Sequence, residues 1–337
     1  MTDVAPLPHF TLTPGELTQV RSVVSTLAET TTASTTPYEL IRAASTARRL
    51  LPERLAAFVE SFRREEPAGG FRLTGWQVDD DHLGPTPGHW RRPDGATAPA
   101  RGHELYLLTM ASLLGDIFSW STLQDGHLVQ DLLPVRGEER DKSAGSSASE
   151  LDLHNEDAFS AVRCDYLGLL CLRNDDRVPT TVAEHRPDQL TPAQLSTLSQ
   201  PRYLLMPDEE HIRRAEERGE EPLGPRRTAL LFGGESAPYL AFVDYFTATD
   251  PGDEEAARAL HALASSLDHN RNDATLDPGE ILFIDKYHAV HGRRPFQARY
   301  DGRDRWLKRI SVTRDLRKSR AVRHGTLSPV VVPGLEA

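Results

Sequence analysis

The stretch ILFIDKYHAVHGRRPFQARYDGRDRWLKRISVT, residues 281–313, decides the fold class of this 337-residue chain. It begins and ends with apolar runs of strand length, Ile281–Asp285 and Trp306–Thr313, which predict two β-strands. Five further runs of this kind precede it: His127–Val135, Arg163–Leu172, Thr180–Val182, Thr228–Phe232 and Tyr239–Val243. Short strands at irregular spacing, without a helix between each pair, favour a β-barrel or a double sheet over alternating βαβ units.

The N-terminal part of the chain, about residues 13–120, predicts helices that clad this β-structure. Thr13-Pro14-Gly15-Glu16 is typical of a helix start, because Thr caps, Pro suits the first helical position and Glu stands three residues after the cap. We expect a helix from there, two short helices between Pro37 and Arg64, and an apolar helix from Glu104 to Trp120. One later helix, Asp253–Leu267, interrupts the strands.

The chain predicts a single domain over residues 1–320. Within it, the segment from about 206 to 227 is dense in charge and holds three prolines and two glycines, so we expect a mobile insert. Residues 321–337 lack a clear periodic pattern and predict a loose tail.

The composition excludes several classes of protein. A formal net charge of −11 repels phosphate backbones, which argues against a nucleic-acid partner. No apolar run approaches the roughly 20 residues of a membrane span, and the N-terminus lacks the pattern of a secretory signal. Two cysteines, Cys164 and Cys171, cannot form a disulfide framework. We therefore expect a cytoplasmic protein, a monomer or a weak homodimer, whose partner is a small molecule and neither a nucleic acid nor a membrane.

One triplet suggests a metal site. Among thirteen histidines, His154 alone begins a His-x-Asp/Glu pattern, His154-Asn155-Glu156. On an extended segment, positions i and i+2 project to the same face, so the imidazole and the carboxylate can hold one ion. The preferred third ligand is His291, which the small Gly292 follows, and His288 competes with it. Two histidines and one carboxylate leave three metal positions open, as in non-haem Fe(II) oxygenases.

Basic residues open the strand after this region. The two-residue alternation of a strand places Arg305 and Arg309 on one face and Lys308 on the other. Charge that protects an edge strand is one interpretation. The other is a pair of inward guanidiniums, each holding a carboxylate through paired hydrogen bonds. An enzyme that binds both 2-oxoglutarate and a free amino acid needs two such groups.

Longer motifs around these residues resemble the clavaminate synthase-like Fe(II)/2-oxoglutarate-dependent oxygenases. The matching motifs are HxEDAF at 154–159, RxDY at 163–166, LRN at 172–174, AVHGRRxF at 289–296 and RYDGxDRWLKR at 299–309. The similarity runs from about Glu104 to Arg320. Within the family it is strongest to the arginine β-hydroxylases of the viomycin pathway and their streptothricin-type relatives.

The resemblance implies a double-stranded β-helix (jelly-roll) fold, Fe(II) as the metal, and 2-oxoglutarate and O2 as cosubstrates. It implies His154, Glu156 and His291 as the iron ligands. It assigns Arg305 and Thr180 to the distal carboxylate of 2-oxoglutarate. Arg309 is implied at the α-carboxylate of the substrate, and Glu156 also at its α-ammonium group.

Two positions depart from the family pattern. The relatives carry a Gln that contacts the substrate amino group where this chain has Leu123, although Gln124 is adjacent. The relatives also use an Asp-x-Asp pair at the substrate guanidinium, and the corresponding positions here are Val243 and Tyr245. Asp244, between them, serves only if the strand register differs, because a shift of one residue reverses the faces.

The insert contains two acidic residues that would replace the Asp-x-Asp pair of the relatives. Asp208 corresponds to a lid acid of the relatives, and Glu210 adds a carboxylate where they have a hydroxyl group. A buried guanidinium needs paired carboxylates, because an isolated buried charge is costly. We therefore expect a free basic L-amino acid as the substrate.

The expected reaction is hydroxylation of L-arginine at C3, in specialised metabolism of the antibiotic type. Desaturation, hydroxylation at C4, and a different substrate such as an arginine analogue remain alternatives within the enzyme class. A catalytically silent jelly-roll binding protein is the alternative outside it.

Overall fold

The structure is a computed structural model. It describes residues 6–32, 34–91, 98–141, 143, 145–217, 219, 224–234 and 236–333. Part of the expected insert, residues 218 and 220–223, and the end of the expected tail, residues 334–337, lie outside the described residues.

Helices dominate the first third of the chain and recur later. They are α1 (Pro14–Thr30), α2 (Pro37–Ala47), α3 (Glu53–Glu65), α4 (Asp80–Leu83), α5 (Arg101–Ala111), α6 (Pro192–Leu198), α7 (Glu209–Glu217) and α8 (Glu254–His269). In the part of the chain that the structure describes, no helix combines the length and apolar character that a membrane crossing requires.

Strands fill most of the remainder. They are β1 (His9–Thr11), β2 (Gly70–Thr74), β3 (Asp116–Trp120), β4 (Val129–Leu132), β5 (Leu151–His154), β6 (Tyr166–Arg173), β7 (Thr180–Glu184), β8 (Tyr203–Leu205), β9 (Arg226–Thr228), β10 (Leu231–Gly233), β11 (Pro238–Leu240), β12 (Thr247–Thr249), β13 (Asn272–Ala274), β14 (Ile281–Asp285), β15 (Ala289–Arg293), β16 (Trp306–Thr313) and β17 (Val330–Val331).

Two sheets form the centre of the molecule. The larger runs β1-β2-β14-β6-β16-β3-β17, and β4 also pairs with β16. The smaller runs β13-β7-β15-β5, and short sheets β12-β8-β9 and β10-β11 lie beside it. A mixed fold with several sheets and helical cladding agrees with the sequence-based expectation.

The apolar side chains divide this architecture into layers. One cluster joins β6, β14 and β16 to β7, β13 and β15, so the two sheets pack face to face. A second cluster packs α1, α3 and α5 on the outer face of the larger sheet, and a third packs α8 on the outer face of the smaller one. Because both faces of β6 are covered, every one of its residues is buried.

The first helix forms as its sequence predicts. The Thr13 backbone N–H donates to Glu16 Oε2 at 2.8 Å, and the Glu16 N–H donates to Thr13 Oγ1 at 3.3 Å, which completes a capping box. Residues at helical spacing on one face are buried: Val20, Val23, Val24 and Leu27. Arg54 of α3 donates to both oxygens of Glu16, so the cap also joins two helices.

Several elements differ from expectation. The helix predicted over Glu104–Trp120 ends at Ala111, because Asp116–Trp120 pairs with β16 instead. Gly115 permits this turn, since a Cβ there would collide with the carbonyl of Thr313. The strand predicted over Thr228–Phe232 divides into β9 and β10, which join different sheets.

Two further corrections concern the tail and β16. The segment expected as an insert contains α7, and its mobility stays a prediction. Residues 321–337 are not a loose tail throughout, because Val330 and Val331 pair in parallel with Ser119 and Trp120. The edge-strand interpretation of β16 is wrong, since β16 lies between β6 on one side and β3 and β4 on the other.

Candidate active site

The structure brings together the three side chains expected to bind metal. His154 ends β5, Glu156 follows in the next turn, and His291 lies opposite His154 in the β15–β5 register. Glu156 Oε2 lies 2.9 Å from His154 Nε2 and 4.0 Å from His291 Nδ1. One ligand-type atom from each residue falls within 4.8 Å of the others, which is the spacing around a single ion.

Backbone and side-chain contacts orient these groups. His154 Nδ1 lies 2.8 Å from the carbonyl of Asp152, so its Nε2 faces Glu156. The buried Lys286 donates to the carbonyl of His154 at 3.0 Å and lies 2.8 Å from His291 Nδ1. Burial lowers the pKa of Lys286 to about 8 and holds the pKa of His291 well below its usual value.

Asn155 ties the same segments together. Its side-chain amide donates to the carbonyls of Lys286 and Ala289, both at 2.9 Å, and accepts from the N–H of Phe242 at 2.8 Å. Asn155, which lies between the expected ligands His154 and Glu156, therefore fixes the turn before β15, the strand that carries His291.

The chemistry of this donor set fits a divalent cation. Burial opposes ionisation of Glu156, but His154, His291 and Arg309 together hold its pKa well below the usual value, so the carboxylate is ionised. Among the described residues, no hydrogen-bond donor satisfies its buried Oε2 atom. An ionised, unsatisfied oxygen beside two imidazoles is suited to a metal of the iron type. His288, the competing ligand, lies instead 3.1 Å from Glu66.

Arg305 is a buried cation without an acidic partner. Its Nη2 donates to Thr180 Oγ1 at 3.0 Å, and both residues line the same cavity as the His–Glu–His group. No carboxylate in the described part of the chain forms an ion pair with it. Burial lowers the pKa of Arg305 to about 10. The arrangement is suited to an anion, because a buried charge requires a counter-charge.

Arg309 lies on β16, lines the same cavity and directly contacts the His–Glu–His group. Its Nη1 donates to Glu156 Oε1 at 3.0 Å, and its Nε donates to Gln130 Oε1 at 2.9 Å. Gln130 was not expected from the sequence. It is brought here by the pairing of β4 with β16, which places Gln130 directly opposite Arg309.

Arg293 is a second cavity residue that the site expectations did not include, although it stands in the HGR motif. It donates to the carbonyl of Ser149 at 2.8 Å and to Ser146 Oγ at 3.1 Å. Burial, together with the neighbouring charge of Arg305, lowers its pKa to about 9. Two buried guanidiniums therefore raise the positive potential at this end of the cavity.

The expected contacts near the substrate amino group are placed as follows. Leu123 and Gln124 both line the cavity. Gln124 has a positive φ of 45°, and its side chain is occupied by the backbone of Asp131. It donates to the Asp131 carbonyl at 2.7 Å and accepts from the Asp131 N–H at 2.9 Å. Its amide therefore shapes the cavity wall.

The segment after β11 keeps the register that the sequence alignment suggested. Val243 forms a bridge with His154, and both Val243 and Tyr245 line the cavity. Asp244 is exposed and is not among the lining residues, so the alternative register is not adopted.

The two acids of the insert occupy different environments. Glu210 Oε2 is 2.5 Å from Arg213 Nη2, and Glu210 Oε1 is 3.1 Å from Arg214 Nε, so its charge is balanced within α7. Asp208 accepts from the N–H of His211 at 3.0 Å. Although 38% of the Asp208 side chain is accessible, that surface opens into the cavity, and burial raises the pKa of Asp208.

The chain resembles known proteins over most of its length, although no family model matches it. It is 38% identical over 304 residues to the L-ornithine/L-arginine 3-hydroxylase of Catenulispora acidiphila, covering 85% of this chain and 88% of the relative. It is 37% identical over 300 residues to the enduracididine beta-hydroxylase of Streptomyces hygroscopicus, covering 83% and 87%.

A solved structure is also similar. It is the non-haem iron oxygenase OrfP in complex with Fe, succinate and (3S)-hydroxy-L-Arg. The TM-score is 0.88 and the identity 38%, over 96% of this chain and 99% of the other. A further OrfP structure, which contains Fe and alpha-ketoglutaric acid, gives a TM-score of 0.87 at 41% identity, covering 96% of this chain and 100% of the other.

Proposed function

Because the chain belongs to the clavaminate synthase-like Fe(II)/2-oxoglutarate-dependent oxygenases, we propose that it hydroxylates free L-arginine at C3. The enzyme class follows from the family: this is a non-haem iron dioxygenase that uses 2-oxoglutarate. The substrate and the carbon are our proposal, and the names of the two relatives support them. We place the reaction in specialised metabolism of the antibiotic type.

The observation that carries the proposal is a pair of guanidiniums in one cavity, Arg305 directly before β16 and Arg309 within it. Among the described residues Arg305 has no acidic partner, and it lies in the same cavity as Arg309, which contacts Glu156. A dicarboxylate cosubstrate and an amino-acid carboxylate each need a cation, and the two arginines supply one apiece.

We assign roles to the cavity residues on this basis. His154, Glu156 and His291 would hold the iron. Arg305 and Thr180 would bind the distal carboxylate of 2-oxoglutarate. With iron, 2-oxoglutarate and O2 bound, the cofactor chemistry oxidises a substrate C–H bond to C–OH and releases succinate and CO2.

The remaining roles concern the amino acid itself. Arg309 would bind the α-carboxylate of the substrate, and Gln130 keeps its guanidinium in place. Glu156 Oε1 would accept a hydrogen bond from the α-ammonium group. This oxygen faces Arg309, which donates to it and would bind the α-carboxylate of the same substrate. Leu123 and Gln124 would pack beside that group. When both the α-carboxylate and the α-ammonium group are bound, the α-carbon is held in place. This orients one C–H bond of C3 and excludes water from it.

The basic side chain of the substrate would extend toward the insert. Asp208 is the acid we assign to the guanidinium, because it faces the cavity and burial raises its pKa. A cationic partner would favour its charged form. Glu138, which also lines the cavity, has a pKa raised by burial and by Glu210. We keep Glu210 as a secondary contact of the substrate guanidinium, because Arg213 and Arg214 already pair with it. We no longer assign Asp244 to the guanidinium, since it does not line the cavity.

We also propose the finer description of the fold. The two facing sheets would constitute a double-stranded β-helix, or jelly roll, within a single domain. We move the boundary of that domain from Arg320 to about Pro333, since β17 pairs with β3. A cytoplasmic location is proposed because 2-oxoglutarate is an intracellular metabolite and both cysteines are free. A monomer or weak homodimer stays a prediction.

A turnover assay tests the proposal. The protein is incubated with Fe(II), 2-oxoglutarate, ascorbate and single free L-amino acids, including arginine, lysine, ornithine, citrulline and enduracididine, and the products are measured by mass spectrometry. We expect arginine to gain one oxygen, with the hydroxyl group at C3 by NMR. Loss of two hydrogens would replace hydroxylation with desaturation, and oxidation of another amino acid alone would replace the substrate.

A further inference from the structure

His211, in the first turn of α7, is buried and uses both of its ring nitrogens. Its Nε2 lies 2.9 Å from Asp157 Oδ1, and its Nδ1 lies 2.6 Å from Thr122 Oγ1. The ring packs edge-on between Trp120 and Phe159, at centroid distances of 5.0 and 5.3 Å. The charged insert thus places one imidazole inside the protein wall, with hydrogen-bond partners on both sides.

The rest of α7 buries very little. Its sequence is EEHIRRAEE, and of these nine residues only His211 and Ala215 are buried. The hydrophobic effect scales with the apolar area removed from water, so an alanine and an imidazole contribute little of it. Hydrogen bonds in a buried site matter more here, because breaking them leaves buried partners unsatisfied. The docking of α7 therefore depends on the contacts of His211.

Those contacts join two parts of the active site. Asp157 directly follows Glu156 and adopts a left-handed conformation, with φ of 50°, which turns the chain back under the insert. On the other side, the backbone N–H of His211 donates to Asp208 Oδ1 at 3.0 Å. One residue therefore connects the turn that carries the metal-binding carboxylate to the acid at the cavity mouth.

We propose that His211 is a positioning residue that latches α7 onto the Asp157 turn and holds Asp208 over the cavity before the amino acid binds. The consequence for catalysis rests on the proposed function, since it assumes that Asp208 receives the basic end of the substrate. The latch itself does not depend on the identity of the substrate. A further contact of α7 is that of Arg214, whose guanidinium lies 5.7 Å from the ring of Trp90.

A second metal ion is the competing interpretation of the same atoms. Asp157, Asp208 and His211 offer ligand-type atoms within 4.8 Å of one another. However, Nε2 of His211 faces Asp157 and Nδ1 faces Thr122, both at hydrogen-bond distance. An ion would have to displace one of these bonds, so the geometry favours the latch.

Four variants of the full-length chain separate the latch from simple packing. His211→Phe keeps the ring between Trp120 and Phe159 but removes both hydrogen bonds. His211→Gln restores an amide donor toward Asp157. Thr122→Val removes only the buried hydrogen bond at Nδ1 of His211. Glu217→Gln is the matched control, because Glu217 lies on the same helix, is half-exposed and pairs with arginines of α7.

The first measurement is limited proteolysis of the Fe(II)-loaded protein under nitrogen, without amino acid or 2-oxoglutarate. Arg213 and Arg214 are the trypsin sites of α7, and cleavage there requires the helix to open. We expect His211→Phe to be cut at these sites about ten-fold faster than the unaltered protein, as the loss of buried hydrogen bonds implies. His211→Gln and Thr122→Val should fall between them, and Glu217→Gln should match the unaltered protein.

The second measurement is coupling, the number of succinate molecules formed per hydroxylated amino acid. A displaced Asp208 leaves the substrate poorly held, so cosubstrate is consumed without productive oxidation. We expect His211→Phe to form roughly two or more succinate molecules per product and to raise the KM for the amino acid, with the KM for 2-oxoglutarate unchanged. His211→Gln should recover part of the coupling.

Three results would overturn the proposal. One is a His211→Phe protein that is cleaved and coupled like the unaltered protein. Another is equal damage in His211→Phe and His211→Gln, which would assign the effect to packing alone. The third is two metal ions per chain in the unaltered protein and one in His211→Phe. If His211→Phe does not fold, Thr122→Val decides in its place. If arginine is not a substrate, the proteolysis result still tests the latch.

Discussion

At the scale of single residues, the cavity is distinguished by cations that lack acidic partners in the described protein. Arg305 and Arg293 are both buried, and burial lowers the pKa of each to about 10 and about 9. Such groups destabilise the unliganded protein unless an anion joins them. The positive end of the cavity is therefore prepared for a cosubstrate with a fixed negative charge.

Replacing Arg305 should weaken the binding of 2-oxoglutarate selectively. We expect Arg305→Met to raise the KM for 2-oxoglutarate about 10- to 100-fold, because the charge-assisted hydrogen bonds to its carboxylate are lost. Arg305→Lys should be intermediate, because an ammonium group cannot form the same paired contact. Initial rates at varied 2-oxoglutarate test this, with Arg294→Met as the control, since Arg294 is partly exposed and paired with Glu150. An unchanged KM in Arg305→Met contradicts the assignment.

The two acids of the insert should respond differently to neutralisation. We expect Asp208→Asn to raise the KM for arginine about ten-fold, because it removes a charge that faces the cavity. Asn caps a helix as well as Asp does, so α7 keeps its start. Glu210→Gln should change the KM less than about three-fold, since Arg213 and Arg214 already balance that carboxylate. Steady-state kinetics of both variants measure the KM for arginine. An equal rise in Asp208→Asn and Glu210→Gln would show that the two acids do not differ in their contact with the substrate.

At the scale of elements, α1 is stabilised by a cap that depends on ionisation. The hydrogen bond from Arg54 lowers the pKa of Glu16 from 4.5 to about 2. A depressed pKa contributes stability above the unfolded value, and this stability is lost as the pH falls from about 4.5 toward 2. Because Arg54 is half-exposed, solvent screens the pair and limits its contribution.

Glu16→Gln should therefore destabilise the protein by about 1 kcal/mol at neutral pH. The difference from the unaltered protein should shrink as the pH falls below about 4.5 and vanish near 2. Urea unfolding at several pH values measures it. Glu39→Gln provides a comparison, because Glu39 caps α2 by the same motif, with Thr36 as the partner. A difference that is constant with pH would show that the charge of Glu16 plays no part.

The C-terminal strand β17 should contribute to stability although its sequence suggests a loose tail. Val331 is fully buried beside Trp120, whereas Leu327, in the same segment, is 59% exposed. We expect Val331→Ala to lower the free energy of unfolding by about 1–3 kcal/mol, and Leu327→Ala to change it by less than about 0.5 kcal/mol. Chemical denaturation distinguishes them, and equal small effects would restore the loose-tail interpretation.

At the scale of the whole molecule, the site is assembled from both central sheets. The smaller sheet supplies His154 and His291, and β16 of the larger sheet supplies Arg309. Lys286 and Asn155 hold the segments that carry His154, Glu156 and His291 in place through hydrogen bonds within the protein. These bonds do not require a metal ligand, so we expect metal binding to stabilise a protein that is already folded.

Adding Mn(II), a redox-stable substitute for Fe(II), should raise the thermal midpoint. At 100 times the dissociation constant, the stabilisation is about 2.7 kcal/mol, a shift of several degrees. Glu156→Gln should abolish the shift, because it removes the anionic ligand while keeping the shape. Glu150→Gln, which alters a partly exposed carboxylate outside this group, should retain it. Thermal unfolding followed by circular dichroism tests both, and a shift that persists in Glu156→Gln would contradict the ligand assignment.

The sequence by itself determined the elements whose signals are local. The Thr13–Glu16 cap and strands β14 and β16 have the bounds or start that their own residues predict. The His154-x-Glu156 spacing likewise brings both groups together, although Glu156 lies in the turn after β5 and not on the strand. These features depend on the conformation of a few consecutive residues, and periodicity and capping describe that conformation directly.

Only the tertiary structure decided what depends on residues far apart in the chain. Asp116–Trp120 is a strand because β16 pairs with it, and Gln130 reaches Arg309 through the β4–β16 register. Asp208 faces the cavity beside His211, whose ring reaches Asp157 and Thr122. Such outcomes follow from the free energy of long-range pairing and burial, which can override local propensity and which no single stretch of sequence encodes.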